Sequence, residues 1–563
     1  MPRPGADPPD DFDVVIVGFG AAGACAAIAA AENGARVLVI DRALGGGASA
    51  LSGGIVYAGG GTRYQRAAGY DDSPENMFNY LRREADGVVD DETLRSFCDE
   101  SVEQLAWLER HGAKFDGSLC NYKTSYPTDK HYLYFSGNER AYPYRQHATP
   151  VPRGHRQVAT GLNSGRALWD ALSHAAIELG VEFLPLTRAE EVIMANGRVA
   201  GLRCLTVGTD DSITLNFYQR TANLRAKLTN WTPSFGPRIP TGQNRLWRNA
   251  RALTLRTPNV ILAAGGFAFN TDMVRRYAPD FEGTTPLGTE GDDGSGIHLG
   301  QSAGGVTGYM HRVSAWRNMS PPAAMLEGIA VGVSGERIAN EDLYGSTHTE
   351  VMVRKFAGRG FLILDSAMLK RCRSQLREQT QPFQRLQLLA AVATKLRKAA
   401  TLSDLASKLR ISPSGLTETV EAYNRAIATG VEDPAHKIDE LCKPLLQGPF
   451  YGLDISVGTA PGYFVPRLTL GGLVVDGASG EVLTGSGAPI HGLHAAGRTA
   501  VGICSNSYVS GLSLADCVFS GKRAGEHAAL SQVSSAKFSG ADSADATDIL
   551  CDQSSRRPRS VAP

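Results

Sequence analysis

Gly18, Gly20 and Gly23 stand in a G-x-G-x-x-G spacing, and Asp41 follows about 20 residues later. That set can hold a dinucleotide. Gly18 allows a tight turn, Gly20 lets backbone approach a pyrophosphate, and Gly23 lets a helix pack closely on a strand. At the helix start, Ala21 and Ala22 would turn free N–H groups and a partial positive charge toward the phosphates. Asp41, with Arg42 beside it, would take the adenosine ribose. A second small-residue run, Gly45 to Gly54, contributes Ala48, Ser49, Ser52, Gly53 and Gly54. Its backbone amides could reach another part of the cofactor, although such a run also reads as a flexible loop.

These residues need strands and helices to position them. Asp13-Val-Val-Ile-Val17 and Arg36-Val-Leu-Val-Ile40 are short β-branched runs of the kind buried on both faces of a parallel sheet. The Ala-rich segment between them is expected to be a helix ending at Asn33-Gly34. The strand-then-glycine pattern returns twice, at Asn259-Val-Ile-Leu-Ala263-Ala264-Gly265-Gly266 and at His491 to Gly497-Arg498, while Gly291-Asp-Asp293-Gly294 opens a helix. Ala264, Gly265, Asp293, Gly497 and Arg498, together with Ala189, are therefore expected cofactor contacts. Residues 85–115, 165–180 and 402–429 read as helices. Tyr122 to Tyr134 is Tyr-rich and either lines an apolar pocket, with Tyr126 and Tyr134 at a substrate, or is core. The domains expected are 12–285 and 446–533, forming one discontinuous unit, with 286–445 inserted and a disordered tail over 534–563.

Composition narrows the class. Lys plus Arg and Asp plus Glu each number 57, so the formal charge is zero and no general nucleic-acid binding is expected. Nine scattered cysteines form no C-x-x-C pair, which argues against iron–sulfur, haem or structural metal sites. No signal peptide and no run of about 18 apolar residues is seen, so a cytoplasmic protein is expected. From Ser212 to Val260 there is no acid but eight bases, interleaved with aromatics. This insert, about 211–257, suits an anionic membrane surface or a solvated loop.

In this order, the motifs resemble the flavoprotein superfamily of fumarate reductases, succinate dehydrogenases and 3-ketosteroid dehydrogenases, over about residues 12–530. Supporting matches are Gly18–Gly23 with Asp41, Ser49–Gly54, Ala263–Gly266, Gly291–Gly294, Arg337-Ile-Ala-Asn340-Glu341, Gly471-Gly472 and Ala496-Gly497-Arg498. The resemblance implies an α/β fold: a Rossmann-type FAD-binding domain with an inserted α+β catalytic, capping domain. It implies FAD held non-covalently, since the His that carries the flavin in succinate dehydrogenase-like members is missing before Ser49–Gly54. Ser513 and Leu514 would direct N–H groups to the flavin.

The resemblance also bears on the substrate. The Arg and His that clamp a dicarboxylate in fumarate reductase-like members are matched by Tyr508, by Tyr344 or its neighbours, and by Arg467-Leu-Thr-Leu470. Arg467 could still bind an anion. Tyrosines in these places resemble 3-ketosteroid dehydrogenases, and Tyr508-x-Ser510-Gly511 is nearer the Δ4-(5α) than the Δ1 type. The implied reaction removes an α-proton and a β-hydride from a 3-oxo steroid. Tyr508, with a backbone N–H near Gly511, would hold the C3 carbonyl. Tyr344 would take the C4 proton, and Ser510 would relay it. A free tyrosine titrates near about 10, so a basic Tyr344 needs its value lowered, and Arg337 is a candidate for that. An external quinone or carrier would take the electrons, and the setting would be steroid metabolism and lipid degradation, with peripheral membrane contact through the insert as one expectation. A fumarate- or urocanate-type alkene reductase and a non-catalytic flavin subunit are the competing readings.

Overall fold

The computed structural model describes residues 11–207, 218, 220–222, 224, 225, 228, 247, 248, 250–458 and 464–548, with side chains of the final helix described as far as 531. The apolar runs form a six-stranded sheet. In chain order its strands are β1 (Val14–Val17), β2 (Val37–Asp41), β3 (Glu182–Pro185), β4 (Asn259–Leu262), β5 (Glu481–Leu483) and β6 (Pro489–Ala495). In space the order is β5-β6-β4-β1-β2-β3, and every pairing is parallel except β5 with β6. All four residues of β1 are buried. That explains their lack of alternation: both faces of the strand are covered.

Helix α1 (Ala21–Glu32) crosses from β1 to β2. A Cβ on Gly23 would lie 1.9 Å from the Gly18 carbonyl oxygen, so the helix can sit this close to the turn only with glycine there. On its other side α1 meets the long closing helix Leu512–Asp548, where Gly521 and Gly525 approach the Ala22 and Ala26 carbonyls. Alanines on one helix and glycines on the other give backbone-to-backbone packing.

Three short antiparallel strands, Ile55–Tyr57, Gly154–Arg156 and Leu133–Tyr134, form a separate small sheet with Gly154–Arg156 in the middle. Its anchor is the Arg153–Asp72 pair at 2.8 Å, both side chains being fully buried. Burial pushes the Asp72 carboxyl up, but the guanidinium outweighs it and holds the group below its ordinary range.

The inserted unit has its own four-stranded antiparallel sheet. The spatial order is Ile329–Val331, Phe361–Leu364, Phe450–Asp454 and Leu396–Ala399. Its core is drawn from residues between Met319 and Ile455, whereas Ile297, Leu299 and Met310 pack with the large sheet. The observed unit thus starts later and ends later than the expected 286–445. The strand Phe450–Asp454 returns to it after the helices, a long-range pairing that no local pattern marks. The expected helix over 402–429 is two, Leu402–Leu409 and Pro413–Thr429, broken where Arg410 adopts a left-handed φ of 58°. Strand Arg251–Arg256 pairs with Arg198–Thr206, so part of the expected insert 211–257 belongs to a three-stranded sheet. Most of the remaining insert lies outside the described residues. The closing helix is described to Asp548, beyond the expected start of disorder at 534, and 549–563 lie outside the described residues.

Removing one member of a fully buried ion pair strands the other charge. Asp72→Ala should therefore cost about 3–5 kcal/mol, read as a lower midpoint in chemical denaturation. An unchanged midpoint would mean that the small sheet does not depend on this pair.

Candidate active site

One continuous cleft of about 1380 Å³ runs along the carboxyl ends of the parallel strands and under the inserted unit. Binding clefts for single small molecules commonly span about 300–1,000 Å³, so there is room for a dinucleotide and a second ligand. The two halves differ in chemistry.

The first half is lined by Gly18, Gly20, Ala21, Ala22, Asp41, Arg42, Ala48, Ser49, Ser52, Gly53, Gly54, Ala189, Ala264, Gly265, Asp293, Arg498, Ser513 and Leu514. Asp41 accepts from the Phe19 and Ala43 N–H groups at 2.8 and 2.7 Å, which pins the glycine turn to the end of β2. Ser49 Oγ accepts from the Ala21 N–H at 3.0 Å, so the small-residue run is tied to the start of α1. Arg42 pairs with Asp293 at 2.8 Å. Gly23, expected in the dinucleotide set as the residue that packs helix on strand, and Gly497, expected as a contact, do not line the cleft. Gly23 faces the Gly18 carbonyl, and Gly497 packs toward Ala22 and Cys517, its N–H donating to Ser520 Oγ at 2.9 Å. Their role is close packing.

This half fits FAD on three observations. Gly18 has a φ of +103°, and a Cβ there would meet the Ala263 carbonyl oxygen at 2.5 Å, so the turn keeps its bare backbone against the cleft. Arg498 holds Asp292 at 2.6 Å through one nitrogen, while its other terminal nitrogen is buried without a protein acceptor. A phosphate or flavin oxygen would supply one. Ser513 and Leu514 lie in the first turn of the closing helix, whose N–H groups have no intrahelical acceptors. No histidine is among the described residues lining the cleft, and its one cysteine there, Cys517, is pushed up to about 12 by burial. Both facts suit non-covalent attachment.

The second half is aromatic and apolar: Tyr126, Trp316, Met319, Met325, Tyr344, Phe383, Leu388, Phe464, Tyr508 and Gly511 all reach it. Three layers of the fold bring the tyrosines together. Tyr344 is the N-cap of the helix Gly345–Phe356, and its N–H donates to Asn138 Oδ1 at 2.6 Å. Ser346 Oγ, in that helix, donates to the Tyr508 carbonyl at 2.6 Å. The Tyr344 and Tyr508 rings lie 6.3 Å apart at 61°, and Trp316 stacks on Tyr508 at 5.6 Å. Gly511 has a φ of +94°, and a Cβ there would lie 2.9 Å from the Tyr57 nitrogen. The turn after Ser510 therefore sits directly on the small sheet.

Ser510 is the hub. Tyr134 O–H donates to Ser510 Oγ at 2.9 Å, and the same hydroxyl lies against Tyr344 and Tyr508. Burial pushes Tyr344 and Tyr134 well above the ordinary tyrosine value and Tyr508 up to about 12, with Ser510 partly countering each shift. All three are neutral phenols at physiological pH. Tyr134, expected at the substrate, is fully buried one layer behind Ser510 and is not in the cleft wall. Arg337, considered as a lowering charge for Tyr344, instead pairs with Glu341 at 2.7 Å and Asp433 at 3.1 Å.

Two arginines decide whether an anion can be held. Arg467 does not line the cleft; it donates to the Thr284 and Ala268 carbonyls at 2.5 and 3.0 Å. Arg317 lines it, but donates to the Ile455, Phe464 and Ser456 carbonyls at 3.1, 3.3 and 2.9 Å. Sequence reasoning missed Arg317 and Trp316 as well as Phe383 and Phe464. Each arrives from a distant segment, and none stands in a motif.

Residues 13–513 match the FAD binding domain family. The chain is 37% identical over 504 residues to the 3-oxo-5-alpha-steroid 4-dehydrogenase of Comamonas testosteroni, covering 87% of this chain and 92% of that protein. With the 3-oxosteroid 1-dehydrogenase of Mycobacterium tuberculosis it shares 25% identity, over 88% of this chain and 94% of that one. A solved structure, the 3-ketosteroid-Δ4-(5α)-dehydrogenase of Rhodococcus jostii RHA1 with 4-androstene-3,17-dione, superposes with a TM-score of 0.76 at 32% identity, over 92% and 96% of the two chains.

The buried phenols give a spectroscopic expectation. In an ultraviolet difference titration of wild type against Tyr508→Phe, the Tyr508 phenolate should be absent at pH 10 and half-formed only near 12. Half-ionisation at pH 10 would mean that Tyr508 meets bulk water.

Proposed function

The chain belongs to the FAD-binding family, and from that membership we propose that it is an FAD-dependent dehydrogenase of 3-oxo steroids, forming the C4–C5 double bond of a 5α-3-oxo steroid. The observation that carries this reading is the substrate half of the cleft. Its wall is aromatic and methionine-rich, its reactive groups are neutral phenols, and Arg317 is taken up by backbone carbonyls. A flat, apolar ketone matches that surface. A dicarboxylate would need cations that the described residues of this half do not offer, which weighs against the alkene reductase reading.

Tyr508 is the donor to the C3 carbonyl. Because burial keeps it protonated, its O–H can stabilise negative charge as that charge develops on the ketone oxygen. Tyr344 and Ser510 take the C4 proton. A resting phenolate at Tyr344 is disfavoured by burial. Tyr344 therefore accepts as its own proton moves to Ser510 Oγ, the Ser510 hydroxyl proton passes on to Tyr508, and the Tyr508 proton goes to the ketone oxygen, from which it leaves to solvent as the carbonyl re-forms, while Tyr134 holds Ser510 from behind. Bound in the first half, the flavin supplies the hydride acceptor for C5. Trp316 and Tyr126 flank the steroid. Electrons leave to an external quinone or carrier, within steroid breakdown. The peripheral membrane role for segment 211–257 belongs to the same reading.

Tyr508→Phe should lower kcat by about 10²–10³ and Tyr344→Phe by about 10²–10⁴, with flavin absorbance retained in both. Normal turnover by both variants would sink these roles. Anaerobic mixing decides the position of the double bond. A 5α-3-oxo steroid should bleach the flavin and a Δ4-3-oxo steroid should not; bleaching by the latter alone would place the chemistry at C1–C2.

A further inference from the structure

The helix Pro382–Lys395 has apolar residues on two sides. Its inner side closes the substrate half of the cleft through Phe383 and Leu388. A capping box between Gln381 and Gln384 fixes its start, and Gln384 donates to the Tyr126 carbonyl at 3.2 Å. The outer side should then carry charge, as a solvated helix face does. It carries Pro382, Leu386, Leu389 and Ala393, all exposed, Leu386 by 65% and Leu389 by 52%. The spacing of four, three and four residues makes this one continuous apolar stripe.

The surrounding charge is one-sided. Residues 366–398 contain eight bases and one acid, Glu378, in a chain whose formal charge is zero. Lys370, Arg373 and Arg377 before the helix, and Arg397 and Lys398 after it, are exposed. A second copy of this chain would bring the same cations against them, because a two-fold contact places a patch on itself. An anionic lipid surface complements both features: headgroups for the bases and the acyl boundary for the leucines.

We infer that the helix Pro382–Lys395 is the face by which this protein lies on an anionic lipid bilayer, so that an apolar substrate passes from lipid to the cleft wall behind the same helix. The helix is a different part of the chain from segment 211–257. The docking itself needs only the stripe and its bases, whereas the transfer of substrate rests on the proposed steroid dehydrogenation.

The test uses the FAD-loaded enzyme with vesicles of phosphatidylcholine containing about 30% phosphatidylglycerol, and with vesicles of phosphatidylcholine alone. Wild type should float with the anionic vesicles and far less with the neutral ones. Leu386→Ser with Leu389→Ser should lower the partition coefficient about tenfold, as should Arg373→Glu with Arg377→Glu. Both variants should keep wild-type turnover of a steroid delivered in cyclodextrin and lose rate only when it is delivered in anionic vesicles. Equal flotation of wild type and variants overturns the inference. So does absence of wild-type flotation, or a dimer in solution that the leucine variant abolishes without any lipid effect. Failure of wild type to turn over the cyclodextrin-delivered steroid would instead count against the functional reading and leave the flotation result standing.

Discussion

Ser510 has one hydroxyl and three phenols around it. Tyr134 donates from the small sheet behind, Tyr344 approaches from the N-cap of the helix Gly345–Phe356, and Tyr508 is two residues back on the same turn. The hydroxyl can satisfy this company only if all three rings hold their places, so the elements carrying them must be fixed against one another. The structure shows how. Gly511 lets the turn rest on Ile55–Tyr57, Ser346 ties the cap helix to the Tyr508 carbonyl, and Asn138 ties Tyr344 to Glu84. The Arg153–Asp72 pair then stiffens the sheet beneath. A relay through neutral groups tolerates little slack, because proton transfer falls away as hydrogen bonds lengthen.

The cofactor half was legible because its constraints are local. A glycine turn, the helix after it and the acid ending the next strand lie within one βαβ unit, and each residue has a steric or hydrogen-bonding reason for its type. Gly23 serves the packing that its motif position implies, whereas Gly497 also packs, and there spacing alone does not separate packing from contact. The substrate half was only partly legible. Tyr344 and Tyr508 stood out through the superfamily resemblance, but Trp316, Phe383 and Phe464 meet them through long-range folding. Tyr134 shows the limit most clearly: a tyrosine in a tyrosine-rich stretch reads as pocket wall, and only burial tells that it stands behind Ser510. The inserted unit ended at an unexpected place for a similar reason, since its strand Phe450–Asp454 pairs with segments far away in sequence.

The two halves of the cleft handle charge in opposite ways. In the cofactor half, Arg42 and Arg498 each hold an aspartate, and the buried Arg498 keeps a donor in reserve. That environment suits phosphates and a polar ring edge. In the substrate half the phenols are neutral by burial, and Arg317 is bound to carbonyls. One fold thus sets an ion-binding floor beside an ion-free one, with the Tyr508–Ser513 turn at the border.

Arg317 has a consequence for which molecules the cleft holds. Its guanidinium donates to three backbone carbonyls, so those N–H groups are turned to the wall and not to a ligand. A ligand in that half meets rings and methyl groups where a fork of donors would otherwise stand. Competing ligands should then be sorted there by outline and thickness, and not by the charge they carry.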